Sequence, residues 1–265
     1  MTNSVTFKLH KAQNQLMVGE IILNSPTHLN ALTLGMVDAI QKKLNLWRES
    51  DVFTVILSGA GEKAFCAGGD VVNVRKDINN RGPRFAETFF AREFFLDYQI
   101  HNYPKPIICW GAGIVMGGGM GLMNGCSHRI VTESSRLAMP EVGIGYYPDV
   151  GGSWFLNKVP EPFGLFLGLS GSPINGKDAI ILNLADHFIS NAKKNELIKN
   201  LCSTEGSKDP DTNNIVDQII EDLSDRSDLE KQSQESRIDR HGSSINGAMK
   251  EDNLSNIYQQ LCSIR

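Results

Sequence analysis

The sequence predicts an α/β fold with a helical C-terminal part, and two observations carry that prediction. Short β-branched runs alternate with segments of helical apolar spacing in the first part of the chain, and from Gly151 onward the periodic segments are helical. With 265 residues, 41% hydrophobic and 21% charged, the chain is long and apolar enough to bury one large core.

The elements follow in order. "VTFKLH" and "QLMVGEIILN" read as two strands joined by the polar turn "KAQN", an opening hairpin. In "ALTLGMVDAIQKKLNLW", Leu34, Val37, Ile40, Leu44 and Trp47 recur at helical spacing. "FTVILSG" is a buried strand that ends in glycine. "RFAETFFAREFFLDYQI" is a helix with an aromatic-heavy face, and Phe85, Phe89, Phe90, Phe94, Phe95 and Tyr98 are expected in its core contact or a pocket wall. "PIICW" is a second buried strand, and "HRIVT" and "RLAMP" are short ones. Helices are expected in "GGSWFLNKV", "EPFGLFLGLS", "GKDAIILNLA" and "AKKNELIKNLC". "STEGSKDPDTNN" reads as a loop. The segment "SDRSDLEKQSQESRIDRHGSSINGAMKEDN" lacks a sustained apolar stripe and reads as weakly ordered or as a solvated helix. No internal repeat is visible.

Charge and cysteine usage exclude several classes. The net charge is -4, with 13 acidic and 7 basic side chains in residues 203–265, so the tail is acidic and the body nearly neutral. Nothing there invites nucleic acid. Cys66, Cys109, Cys126, Cys202 and Cys262 form no CxxC pair, which suits reduced thiols in a cytoplasmic protein. Neither the cysteines nor the six histidines show metal-ligand spacing, so no metal is expected. The first residues lack an apolar core and a small-residue cleavage site, and no signal peptide is expected.

The stretch "MGGGMGLMNG", Met116 to Gly125, follows a run without charge and is the puzzle of the sequence. Glycine costs roughly 1 kcal/mol against alanine inside a helix. A membrane helix would explain a glycine face, but Pro106 to Met123 is only eighteen residues, six of them glycine. No membrane is expected. A dinucleotide fingerprint fails because Met116 stands where the third glycine should be, and neither GK[ST] nor GxSxG occurs. Two readings remain: close packing of a helix on a sheet, or backbone amides at a helix N-terminus that face a ligand oxygen. A second glycine-rich turn, "VILSGAGEKAFCAGGD", could supply another amide to the same oxygen.

"KAFCAGGD", then "GAGIVMGGGMGL", then "LAMPEVGIGYYPDVGG", resemble the crotonase (enoyl-CoA hydratase/isomerase) superfamily, with support from "SPTHLNAL" and "LSGSPINGKDAIILNLADH". The resemblance spans roughly residues 5 to 190. It implies a superhelix of stacked β-β-α turns that binds acyl-CoA thioesters, with two amides holding the thioester carbonyl. By position these are Gly69 and Gly118. It also implies that the turns around His28 and Ala67 hold the CoA adenine through the backbone. CoA is then part of the substrate, and no separate cofactor is expected. Residues 1–190 would form the acyl-CoA-binding core and residues 191–265 a helical, acidic segment, shortened relative to the family. An open CoA site is expected, with either homo-oligomer contacts that cover it or weak affinity for CoA.

Hydratases of this family carry one glutamate where this chain has Gly121 and a second at Glu141, and hydration has both proton and water to manage. Asp149 in "YYPDVGG" stands where hydratases have a small residue. "MPE" with "PDVGG" and "FCAGGD" resemble the branch of the family that hydrolyses 3-hydroxyisobutyryl-CoA in valine breakdown. That branch adds Glu93 as a substrate-contacting carboxylate. Glu141 could attack the carbonyl or activate water, and Asp149 could order the water or the leaving thiol. Each residue also has a plainer reading. Glu141 and Asp149 lie in proline-flanked loops where acids are commonly just solvated, and Glu93 fits a solvent-facing charge. Asp70 reads as an N-cap, Cys66 as a small buried filler, and Asn183 as a changed helix end. A hydratase or isomerase, and a non-catalytic acyl-CoA-binding protein, stay open beside the hydrolase.

Overall fold

From Val52 to Ala138 the chain alternates between two β-sheets, and this alternation builds the site. The structure, a computed structural model, describes residues 4–205 and 211–263. Its strands are β1 (Val5–Lys11), β2 (Met17–Leu23), β3 (Val52–Gly59), β4 (Ala64–Cys66), β5 (Ile107–Gly111), β6 (Ile114–Met116), β7 (His128–Val131), β8 (Arg136–Ala138), β9 (Ile174–Asn175) and β10 (His187–Phe188). The helices are α1 (Leu34–Arg48), α2 (Val71–Arg81), α3 (Arg84–His101), α4 (Gly118–Gly125), α5 (Gly152–Leu156), α6 (Phe163–Ser170), α7 (Gly176–Ile181), α8 (Lys194–Cys202), α9 (Asp211–Asp225), α10 (Asp228–Ser233), α11 (Arg237–Ala248) and α12 (Leu254–Ser263).

One sheet has the order β1-β2-β3-β5-β7-β10 and the other β4-β6-β8-β9. Strands β3, β5 and β7 run parallel in the first, and β4, β6 and β8 run parallel in the second. Each pass therefore lays one strand in each sheet, and a helix follows β4 and β6. This is the stacked β-β-α superhelix. The repeat is structural and leaves no sequence repeat, because each turn needs only apolar strands and a corner. Gly113 shows why the β5–β6 corner is glycine: its φ is +71°, and a Cβ there would strike the Lys63 carbonyl.

The local reasons are ordinary. The hairpin β1–β2 pairs antiparallel, Val5 with Leu23 through Lys11 with Met17. Thr33 caps α1 by accepting from the Met36 amide at 3.3 Å, and the helix buries Val37, Ile40, Leu44 and Trp47. Full burial of such side chains stabilises by about 1.5–3 kcal/mol each. Strand β3 is buried from Val52 to Ser58, as expected of a strand covered on both faces. Asp70 caps α2 by accepting from the Asn73 amide, and Cys66 is fully buried. Among the described residues no helix is long and apolar enough to cross a membrane.

Two expectations need correction. The segment read as weakly ordered or as a solvated helix holds α11, a helix that is not merely solvated: it buries Ile238, Ile245 and Ala248, and Met249 and Ile257 join it against Phe163 and Phe166. These apolar positions are too sparse to show as a stripe. The start of α11 is fixed by Asp178, fully buried, whose carboxylate accepts from Ser236 Oγ at 2.6 Å and the Arg237 amide at 3.2 Å. Of the loop expected over 203–214, residues 206–210 lie outside the described residues, and "DTNN" already belongs to α9.

Candidate active site

Three parallel strands of the smaller sheet end side by side, at Cys66, Met116 and Ala138. The residues that leave those carboxyl ends must come together, as in other parallel sheets that bind ligands there. Gly69 follows β4, Gly118 follows β6, and Glu141 follows β8. The Gly117 amide donates to the Ala138 carbonyl at 3.2 Å and locks two of the three exits together.

The backbone aims two amides at one place. Leu32 donates to the Gly68 carbonyl at 2.8 Å, and the Asp70 amide donates to the Leu32 carbonyl at 2.9 Å. Amides alternate sides along an extended segment, so the Gly69 N–H points away from Leu32. Gly69 N lies 3.3 Å from the point a Cβ on Gly118 would take. Gly118 is the first residue of α4, where the amides have no partner inside the helix. Two such donors can hold a developing oxyanion.

The run Gly117-Gly118-Gly119 and Gly121 are glycine because other groups fill their side-chain space. Gly117 has φ +50° and ψ -119°, and a Cβ there would lie 2.7 Å from Glu141 Oε1. A Cβ on Gly118 would strike Glu93 Oε1, and one on Gly119 would strike the Cys66 carbonyl. At Gly121 it would meet Val150 Cβ at 2.6 Å and Asp97 Oδ2 at 2.9 Å. Val150 is itself unusual, a buried β-branched residue at φ +43°.

Glu93, Asp97 and Glu141 thus border the glycine turn, and Asp149 lies close enough to all three to act on them by charge. The buried positions of α3 are Ala86, Phe89, Glu93, Leu96, Gln99 and Ile100, a stripe at three- and four-residue steps, widened by Gln99, with a carboxylate inside it. Glu93 is 2% exposed and Glu141 8%. Among the described residues, Glu93 Oε1, both carboxyl oxygens of Asp97, and Glu141 Oε2 are buried without a hydrogen-bond partner. A buried neutral polar group in that condition costs about 1–3 kcal/mol, and an ion costs far more. The carboxyls respond by holding protons. Burial, then the charges of Asp149 and Glu141, push Glu93 up to about 8. Burial raises Glu141 to about 7, against a lowering backbone hydrogen bond and with help from Asp149. Asp97 is driven well above the usual carboxylate range by burial, then by Glu93 and Asp149. Burial also raises Asp149. At neutral pH Glu141 is the buried carboxyl poised to gain or lose a proton, which suits a base or nucleophile.

The residues singled out from the sequence are therefore brought together, with differences. Glu93 does not face solvent, because it occupies the buried stripe of α3. Asp97 was missed; its signal is its place one turn after Glu93, opposite the glycine at 121. The aromatic set of α3 divides. Phe89 is core and packs 3.2 Å from the Cβ point of Gly69; Phe94, Phe95 and Tyr98 are all exposed, and of these Phe94 and Tyr98 border a cavity. Asn183 takes φ +58° just after α7, a conformation asparagine tolerates. His28 and Ala67 lie on adjoining turns, since the Ala67 amide donates to the Leu29 carbonyl at 3.0 Å. The His28 ring is within hydrogen-bond distance of Ser25 Oγ and Thr27 Oγ1.

This fold, with two facing amides and a buried glutamate at the ends of parallel strands, defines a class. The model of the enoyl-CoA hydratase/isomerase family matches residues 18–265, and the chain belongs to that family. It is 42% identical over 200 residues to the mitochondrial 3-hydroxyisobutyryl-CoA hydrolase of Xenopus tropicalis, covering 75% of this chain and 51% of that protein. It is 40% identical over 204 residues to the enzyme of the same name from Danio rerio, covering 77% and 53%. The chain thus spans about half the length of these curated relatives. A crystal structure of a carnitinyl-CoA dehydratase from Mycobacterium thermoresistibile superposes with a TM-score of 0.83 at 33% identity, covering 99% of this chain and 71% of that one.

Proposed function

We propose that this chain hydrolyses short 3-hydroxyacyl-CoA thioesters, with 3-hydroxyisobutyryl-CoA the leading substrate and valine breakdown the setting. One observation carries the reading: Glu141, buried and raised to about 7, lies against the turn that presents the Gly118 amide. The names of the hydrolase relatives support the substrate. The thioester carbonyl would sit between the amides of Gly69 and Gly118, which take up charge as the carbonyl carbon becomes tetrahedral. Glu141 would then work by one of two balanced routes. As nucleophile it bonds to the carbonyl carbon, the C–S bond breaks with CoA thiolate leaving, and water opens the anhydride. As base it takes a proton from the attacking water, and the departing sulfur gains one. Both need Glu141 deprotonated. Asp149 orders the water or the leaving thiol, Glu93 contacts the acyl group, and the turns of His28 and Ala67 hold the adenine, with CoA entering as substrate and not as a resident cofactor.

A second reading is favoured by one observation. Asp97 places a further carboxyl beside Gly121, so hydration or dehydration has two acids to draw on, as the carnitinyl-CoA dehydratase likeness would suit. The decisive comparison is thiol release from 3-hydroxyisobutyryl-CoA against hydration of crotonyl-CoA by the same preparation. Faster thiol release supports hydrolysis; faster hydration replaces it with the second reading.

We also propose self-association and a reducing compartment. Phe95, Tyr98, Tyr147 and Trp154 expose large aromatic surface, which a second copy would cover. A monomer by light scattering contradicts this. The free thiols of Cys66, Cys109 and Cys126 are buried and fit either the cytoplasm or the mitochondrion that the relatives' names carry.

A further inference from the structure

The helices α3 and α4 face each other with matched steps. Glu93 lies against Gly118 and Asp97 against Gly121, so a second carboxyl stands one turn, about 6 Å, beyond the first along α3. Beside Asp97 is a cavity of about 240 Å³ whose walls include Phe94, Tyr98, Val150, Trp154 and Phe155. Sites for drug-sized ligands run about 300–1,000 Å³. This one suits a short acyl group. Its wall is mostly apolar, and Asn124, which also borders it, is engaged: its side-chain amide donates to the Met120 carbonyl and its oxygen accepts from Arg129. His101 is set edge-on against Trp154. Both Asp97 oxygens are buried and unpartnered among the described residues.

An acyl group held by its carbonyl at Gly69 and Gly118 must project its 3-position away from the sulfur. A hydroxyl three bonds from the carbonyl carbon, plus one hydrogen bond, reaches about 6 Å. That matches the step of about 6 Å along α3 from Glu93, which lies against Gly118, to Asp97. We propose that Asp97 is the specificity-determining residue for the acyl end: its carboxyl, whose oxygens are covered in the free chain, turns into this cavity and takes the hydroxyl of a short 3-hydroxyacyl chain. This rests on the placement of the thioester carbonyl given above. A carboxyl that keeps its proton offers a donor and an acceptor, as a hydroxyl does, and the burial of Asp97 among Glu93 and Asp149 favours that form. A chain without the hydroxyl leaves the carboxyl unpaired, which is how a polar pocket rejects an analogue.

The test separates this claim from hydrolysis. Binding of non-hydrolysable amide analogues, NH in place of the thioester sulfur, is measured by calorimetry for the 3-hydroxyisobutyryl and isobutyryl forms. The unaltered chain should prefer the hydroxylated form by about 10–100-fold. Asp97→Leu should bring the two within about threefold, and Asp97→Asn, which still donates and accepts, should keep most of the preference. If Asp97→Leu lacks a cooperative melt, Asp97→Ala is read in its place. No preference in the unaltered chain, or an undiminished one in the folded Leu or Ala variant, overturns the proposal. A clear preference without thiol release from the true thioester would leave Asp97 in place and end the hydrolase reading.

Discussion

Glu141 Oε1 lies 2.7 Å from the point at which a side chain on Gly117 would begin. The turn that delivers the Gly118 amide and the buried carboxylate are therefore fitted to one another. Alanine at 117 would meet both that carboxyl and a φ of +50°. Gly117→Ala should lose about 1–3 kcal/mol of stability in chemical denaturation and most of its thiol release. Unchanged values on both counts would show that the fit has no consequence.

Gly118→Val places branched bulk against Glu93 and where the carbonyl is to bind. Removal of one oxyanion donor typically costs 10²–10³ in rate, so turnover should fall by about that factor. The variant is judged only with a native-like melting curve. Full activity in a folded Gly118→Val would remove this amide from the site.

Much of this was legible beforehand, and the misses share a cause. The strands and α1 declare themselves because their apolar residues recur at fixed spacing, and Gly69, Gly118 and Glu141 are flagged by glycine or proline at strand ends. Glu93 is reached only through the family resemblance, and Asp97 carries no flag at all. Their meaning comes from α4 packing across α3, a contact between elements that local pattern does not encode. Ile245 and Met249 escape notice for a related reason: they pack on Phe163 and Phe166, far away in sequence, and Ile238 joins the main core.

The raised carboxyls predict how stability varies with pH. Glu93 has its ordinary value of 4.5 in the unfolded chain and about 8 in the fold, so between those values the native state binds the extra proton. Stability then falls as pH rises through that window, on the order of 1.4 kcal/mol per pH unit at its steepest. Against the upward push of burial, Glu20 is held low by Lys194 and Asp186 by Arg129, and both act in the opposite sense at acid pH, so the comparison must isolate Glu93. Glu93→Gln should gain stability over the unaltered chain at pH 8.5 and lose that advantage by pH 4.5. A pH-independent difference in urea denaturation would contradict the assignment.

Activity should follow Glu141 in the other direction. Its carboxyl is raised to about 7, and only the deprotonated form can attack or accept a proton. The kcat/KM for thiol release should climb through about pH 7 and then level. Asp149→Asn removes a charge that helps hold Glu141 up, so the midpoint should move to lower pH while turnover falls. A profile flat from pH 5 to 8 would mean that another group sets the rate.

Glu141→Gln keeps the size and hydrogen bonding of the side chain but neither basicity nor nucleophilicity. Thiol release from 3-hydroxyisobutyryl-CoA by this variant, measured beside its calorimetric affinity for CoA, tests the central claim most directly. Release should drop by at least about 10³-fold, in the range that loss of a general base or nucleophile produces, while CoA affinity stays within a few-fold. A Glu141→Gln chain that binds CoA and still releases thiol at the rate of the unaltered chain would contradict it.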